Sequence, residues 1–248
     1  ENAALVLGKN TNYFEKDSTG VQLPYIDGVK VSFLNDRSVE FLQLLQGQLD
    51  LVSGIDKSFR DKAIDGLGNL QQEVAPKVTM IRMPYMNTEY LGFSMSQVKN
   101  SALKNKLVRQ AINYAIDREK MITYLRSGIG QPAHYGIIPI GVSGFNENVK
   151  GYSFQPELAK KLLTDAGYPN GKGFPVVTLH IYTEPRLVQV AEAVQKMLSD
   201  ALNIQVEIKT VQFAELLALA EQGKLSFWGT RWYGDYPDAE NFINLLDG

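Results

Sequence analysis

Val29, Val31 and Phe33 alternate with Lys30 and Ser32, the period of a half-buried strand. Asn35 and Asp36 can cap a helix that carries Val39, Leu42 and Leu45 on one face, with Gly47 placed to stop it. A second helix is expected from Lys57 to Ile64, broken by Gly66 and Gly68. Short apolar stretches at Leu49–Val52, Leu70–Ala75, Val78–Met83 and Tyr90–Met95 read as strands, with Pro76 and Pro84 between them.

The grain changes after Gln97. Ser101 can cap a long helix with Leu103, Leu107, Ala111 and Tyr114 at spacings of three and four, and a second helix follows from Arg118 to about Arg126. Residues 128–151, GIGQPAHYGIIPIGVSGFNENVKG, form a long loop whose aromatic and aliphatic content argues against plain disorder. Pro156 opens a helix that Gly167 closes. Strand and helix then alternate: strands at Val176–Tyr182, Ile204–Val211 and Leu225–Trp232, helices at Leu187–Leu202, Phe213–Gln222 and Ala239–Leu246. Helices set between strands predict an α/β fold, a sheet covered by helices.

Composition narrows the function. Lys plus Arg is 25 and Asp plus Glu is 27 in 248 residues, so there is no basic excess of the kind a general nucleic-acid binder carries. The longest clean apolar run, Leu216–Ala220, is far below the ~18 residues of a membrane span. With no cysteine and two histidines, thiol catalysis and zinc–thiolate sites are excluded, and neither His134 nor His180 has a metal-ligand neighbour at helical spacing. No metal and no cofactor is expected. Gly128, Gly130 and Ala133 match a loose dinucleotide pattern, but a helix precedes them where a strand is required and Pro132 interrupts the turn.

The densest chemistry is WGTRWYGDYPD, Trp228 to Asp238, at the end of a predicted strand. Trp228, Trp232, Tyr233 and Tyr236 surround Asp235, with Arg231 and Asp238 close by. Ligands of open α/β sheets bind beyond the carboxyl ends of strands, and rings there make an amphipathic wall. Three readings stand side by side. Asp235 fixes a ligand's positive group; or Asp235 with Asp238 or Glu240 does acid–base work on a glycoside; or Asp235 opens an Asx turn before Pro237 and the rings are core. His134 and Tyr135, in the long loop, are further candidate ligand contacts.

Four motifs in order resemble the family 5 extracytoplasmic solute-binding proteins of ABC transporters, the dipeptide- and oligopeptide-binding group. They are LPYIDGVKVSF followed by QGQLDLV, LVRQAINYAIDREKMI, ELAKKLLTDAGYPNGKGFP and WYGDYPDAENF. The last is similar to a W-x-x-D-Y-x-[DE]-P-x-x-[FY] run, with Ala239 where proline is common and Arg231 where a small residue is common. The resemblance implies a type II periplasmic-binding-protein architecture of two α/β lobes closing over ligand. Residues 1–90 would be part of the terminus-carrying lobe and residues 91–248 most of the second, so that the chain is a fragment with one nearly complete lobe plus part of the other. It further implies a peptide ligand whose ammonium meets Asp235 and whose backbone bonds the main chain of Arg231 and Tyr233. The implied partners are permease subunits, and the implied location is the periplasm or a lipid anchor at the cell surface, with membrane contact only through permease or anchor. Another solute is the alternative, for example a metal complex, or a sugar oligomer stacked on Trp228 and Trp232.

Overall fold

The structure is a computed structural model, and it describes residues 4–34, 36–55, 57–65, 68–95, 102–126 and 128–246. Two compact units divide the chain, Glu1–Ile81 and Arg82–Gly248. The division precedes the expected boundary near residue 90 because β3 (Asn87–Phe93) pairs along its whole length with β6 (Phe227–Tyr233) of the second unit.

In the first unit, β1 (Ala4–Gly8) and β2 (Gly28–Ser32) form an antiparallel pair. The alternation at Val29 and Val31 marked β2; β1 carried no such pattern. Helix α1 (Arg37–Leu45) is capped by Asp36, whose carboxylate accepts from the Ser38 N–H at 2.8 Å, and it ends before Gly47 at φ 70°. Asn35, the other expected cap, and Gly66, an expected breaker, lie outside the described residues. Helix α2 spans Lys57–Ala63, and an isolated bridge joins Ile64 to Leu70. The strands expected at 49–52, 70–75 and 78–83 do not form; turns occupy residues 72–77 and irregular chain the rest. Their β-branched residues favour extended backbone, but extended backbone becomes a strand only where a ladder partner lies beside it. The buried core among the described residues of this unit is Phe41, Ala63 and Val74, while Leu5, Val6 and Leu7 are exposed.

The second unit is built on a four-stranded sheet of order β3-β6-β4-β5, with β4 (Val177–Tyr182), β5 (Val206–Val211) and β6 parallel and β3 antiparallel at one edge. Helix α6 (Pro185–Leu202) connects β4 to β5 and α7 (Phe213–Glu221) connects β5 back to β6. The two crossovers run in opposite directions, so right-handed connection puts these helices on opposite faces. The long helix expected from Ser101 divides into a 3-10 turn, Ala102–Lys104, and α3 (Lys106–Ala115). The Asn105 side chain caps α3 by accepting from Leu107 N at 2.9 Å, and Ser101 itself lies outside the described residues. Helix α4 (Arg118–Arg126) is capped by the Asp117 carboxylate, 3.0 Å from Lys120 N. Arg118 donates to the carbonyls of Asn113 and Tyr152 and to the Asn113 side chain, which ties the α3–α4 corner to the end of the long loop. Pro156 and Gly167 delimit α5 (Pro156–Asp165) as expected. Leu179, Ile181 and Phe227 from the sheet meet Val108, Ile112, Leu163 and Leu198 from the helices in one large core. Helix α8 (Glu240–Ile243) and a 3-10 turn, Asn244–Leu246, close the described chain.

Candidate ligand site at the carboxyl end of β6

The geometry of the site follows from β6 outlasting its neighbour β4. On one side, β3 pairs with β6 as far as Tyr233 opposite Asn87. On the other, the ladder with β4 stops at Ile181 opposite Gly229. Backbone groups along a strand point alternately to its two edges. Gly234 N donates to Met86 O at 2.7 Å and Ser226 O accepts from Ser94 N at 3.2 Å, so the even-numbered residues face β3. The N–H and C=O groups of Arg231 and Tyr233 therefore face the β4 side, past the point where β4 ends, and no strand among the described residues pairs with them.

Beyond this open edge the chain turns. Asp235 is exposed, and among the described residues its carboxylate has neither an ion pair nor a hydrogen bond. The rings do not shield it in the way the sequence suggested. Trp228 lies across Gly92, where a Cβ would sit 2.5 Å from the indole. Trp232 donates its indole N–H to the Asn241 side-chain oxygen at 2.7 Å, and Tyr233 and Tyr236 are exposed. The tryptophans thus pack onto the sheet and α8 instead of enclosing the carboxylate. Asn241 is buried, and the same oxygen accepts from Asp235 N at 3.3 Å, so one side chain holds both the indole and the turn.

The acid–base pair finds no support in these contacts. Asp238 Oδ1 accepts from Glu240 N at 2.9 Å, a local bond at the entry to α8 that engages this carboxylate with the main chain. Nor does Asp235 open an Asx turn: Pro237, two residues on, has no N–H to donate, and among the described residues the Asp235 carboxylate accepts no hydrogen bond. Ser143 of the long loop bridges to Asp238, and Thr88 donates to Ile137 O at 2.8 Å, which fastens that loop beside the turn.

Arg231 is half-buried, its guanidinium carbon 5.0 Å from the centre of the Tyr233 ring and 5.8 Å from that of Tyr182, the last residue of β4. Burial pushes the phenols of Tyr182 and Tyr233 up, and the charge of Arg231 opposes both shifts. Tyr85 packs edge-on against Tyr233 at 5.5 Å. Tyr135 packs edge-on against both Phe145 and its neighbour His134. His134 faces Glu119 of α4 across 3.2 Å and lines a cavity of about 260 Å³ with Ile116, Arg118, Tyr152 and Phe154. Sequence reasoning missed Asn241, Tyr85 and Tyr182. Tyr182 had a signal, its place at the carboxyl end of a predicted parallel strand; the other two had none, because they reach the site by tertiary contact.

A mostly parallel sheet whose carboxyl edge is open to ligand is the arrangement of type II periplasmic binding proteins, here as part of the two-lobed whole. Residues 1–248 match the family model described as bacterial extracellular solute-binding proteins, family 5 Middle, and the chain belongs to that family. It is 28% identical to Heme-binding protein A of Haemophilus influenzae and 27% identical to the Dipeptide-binding protein of Escherichia coli, in each case over 90% of this chain and 39% of the relative. Its structure is similar to that of DppA from Helicobacter pylori in complex with peptide STSA, with a TM-score of 0.69, 25% identity, and coverage of 97% of this chain and 42% of that one. The chain spans about two-fifths of the length of the curated relatives it matches. Among the described residues no helix is long and apolar enough to cross a membrane.

Proposed function

We propose that this chain is part of the substrate-binding component of an ABC importer, and that the whole protein binds peptides in a cleft between its two lobes and passes them to permease subunits without turnover. In this reading Arg82–Gly248 is most of one lobe and Glu1–Ile81 part of the lobe that carries the termini. The protein works outside the cytoplasmic membrane, either in the periplasm or held by a lipid anchor.

The observation that carries the reading is the main-chain edge at Arg231 and Tyr233, unpaired among the described residues, with the carboxylate of Asp235, uncommitted among the same residues, just beyond it. An extended peptide can add to such an edge as a strand, and its backbone bonds are indifferent to side-chain sequence. Asp235 then fixes the register by meeting the α-ammonium. In open solvent a charge pair at 4 Å is worth about 1 kcal/mol; under a ligand and a second lobe, at an effective dielectric near 20, it is worth about 4 kcal/mol before desolvation. An exposed aspartate in this chain alone therefore suits a group that becomes an anchor only when the cleft closes. The exposed rings of Tyr233 and Tyr236 are free to contact a ligand beside Asp235, Trp228 and Trp232 back the strand and the turn, and Tyr135, packed on Phe145 in the long loop, is a further candidate contact. His134, turned toward Glu119, is a contact for a longer ligand at most.

The test is titration calorimetry of the full-length protein with short peptides. Asp235→Asn is expected to weaken the best peptide by about 30-fold or more, the lower end of what removing one partner of a buried charged pair costs. Unchanged affinity would end the anchor role. Mass spectrometry of ligand co-purified with the full-length protein checks the solute class, and a carbohydrate or metal-complex mass without peptide would reassign it.

A further inference from the structure

Arg231 has no place in a scheme that uses only its main chain, yet its side chain is held in a definite position. The guanidinium lies over the rings of Tyr182 and Tyr233, and Tyr182 is the residue at which β4 stops. It therefore lies near the point where β4 ends beside the open edge of β6. Glu89 stands directly opposite Arg231 in the β3–β6 ladder, but the Glu89 carboxylate is bonded to Arg126 of α4. Among the described residues no carboxylate lies within ion-pair distance of Arg231. A guanidinium carries five N–H donors, so its contact with the two rings and the Tyr182 phenol leaves N–H groups for a ligand carboxylate.

We infer that Arg231 is a specificity-determining residue that reads a carboxylate carried by the ligand. The inference rests on the peptide-binding reading and extends it. Asp235 lies four residues beyond Arg231, at most about 13 Å along an extended chain. A peptide whose ammonium meets Asp235 advances about 3.3 Å per residue along β6 and so brings its second to fourth residue beneath the guanidinium. The carboxylate there is either the C-terminus of a very short peptide or an acidic side chain of a longer one.

Calorimetry on the full-length protein separates these sources with two matched pairs. Ala-Ala-Ala against its C-terminal amide probes the terminus; Ala-Glu-Ala-amide against Ala-Gln-Ala-amide probes the side chain. The wild type is expected to prefer the carboxylate member of at least one pair by about tenfold or more, the usual scale for a hydrogen bond to a charged group. Arg231→Met, which keeps a long apolar stem, is expected to bring that ratio close to one. Arg231→Lys, which keeps the charge and loses the fork, is expected to leave an intermediate ratio, and thermal melts of both variants check that they fold. The inference is overturned if neither pair is distinguished while peptides bind, or if the preference survives Arg231→Met. Absence of binding by any peptide overturns the peptide reading itself, and this inference with it.

Discussion

Asn241 holds the candidate site together with a single oxygen. It is buried, and it accepts from the Trp232 indole and from the Asp235 main chain. Asn241→Ala leaves an indole N–H without its partner and is expected to lower unfolding stability by about 1–3 kcal/mol, measurable by urea titration. It is also expected to weaken peptide binding with Asp235 still present, because the turn that carries the carboxylate loses its tether. The chemistry of WGTRWYGDYPD was legible as residue types, and Asp235 was singled out from them. The part played by Asn241 was not legible, since nothing in its own sequence neighbourhood distinguishes a buried acceptor from a solvated helix residue. A second prediction concerns His180. Burial holds its pKa below the ordinary 6.5, Lys209 opposite it in the β4–β5 ladder acts in the same direction, and hydrogen bonding to the main chain of Phe227 and Thr178 opposes them only in part. The unfolded chain then takes up this proton more readily than the folded one. Its contribution to stability is complete above about pH 6.5 and declines as pH falls through the lowered folded value. Thermal melts across pH 4–8 are expected to show a shallower acid limb in His180→Gln than in the wild type; an unchanged limb would mean that His180 does not set it.

Individual elements owe their limits to caps and close contacts, and these set the predictions at this scale. Asn105 caps α3 with its side chain, so Asn105→Ala is expected to cost about 1 kcal/mol in denaturant unfolding. Gly92 has no room for a Cβ, because the Trp228 indole lies where one would stand. Gly92→Ala is expected to destabilise by about 1–3 kcal/mol, as overpacking does, and to shift tryptophan fluorescence as the indole is displaced. The helices and the β4–α6–β5–α7–β6 run could be read from period and punctuation, as α4 and α5 illustrate. Strands were less legible. Residues 78–83 have strand composition and no ladder, while Ala4–Gly8 forms a strand with little pattern because β2 lies beside it. A helix satisfies its own backbone, whereas a strand depends on a partner remote in sequence. The open edge of β6 is the same fact at the site: it exists because β4 ends before β6, which only the pairing reveals.

At the scale of the molecule the two units differ in how much they bury. Arg82–Gly248 encloses a continuous core of sheet and helices, whereas the described residues of Glu1–Ile81 bury Phe41, Ala63 and Val74 and leave both strands of the β1–β2 pair exposed. Residues 82–248 expressed alone are expected to unfold cooperatively and to resist limited proteolysis, and residues 1–81 alone to be digested rapidly, since a small apolar core does not offset the chain entropy lost on folding. Equal protease resistance of the two pieces would refute this. The sequence by itself determined the α/β class, most helices and their caps, family membership through four ordered motifs, and the residue types gathered around Asp235. Those follow from local periodicity, turn chemistry and short-range spacing, which every stretch of chain carries within itself. Only the tertiary structure decided which strands find ladders, that β6 outruns β4, that Trp232 is spent on Asn241, and that Arg231 lies over the rings of Tyr182 and Tyr233. Each of these depends on groups far apart in sequence arriving at the same place, and strand pairing and core packing, not local preference, bring them there.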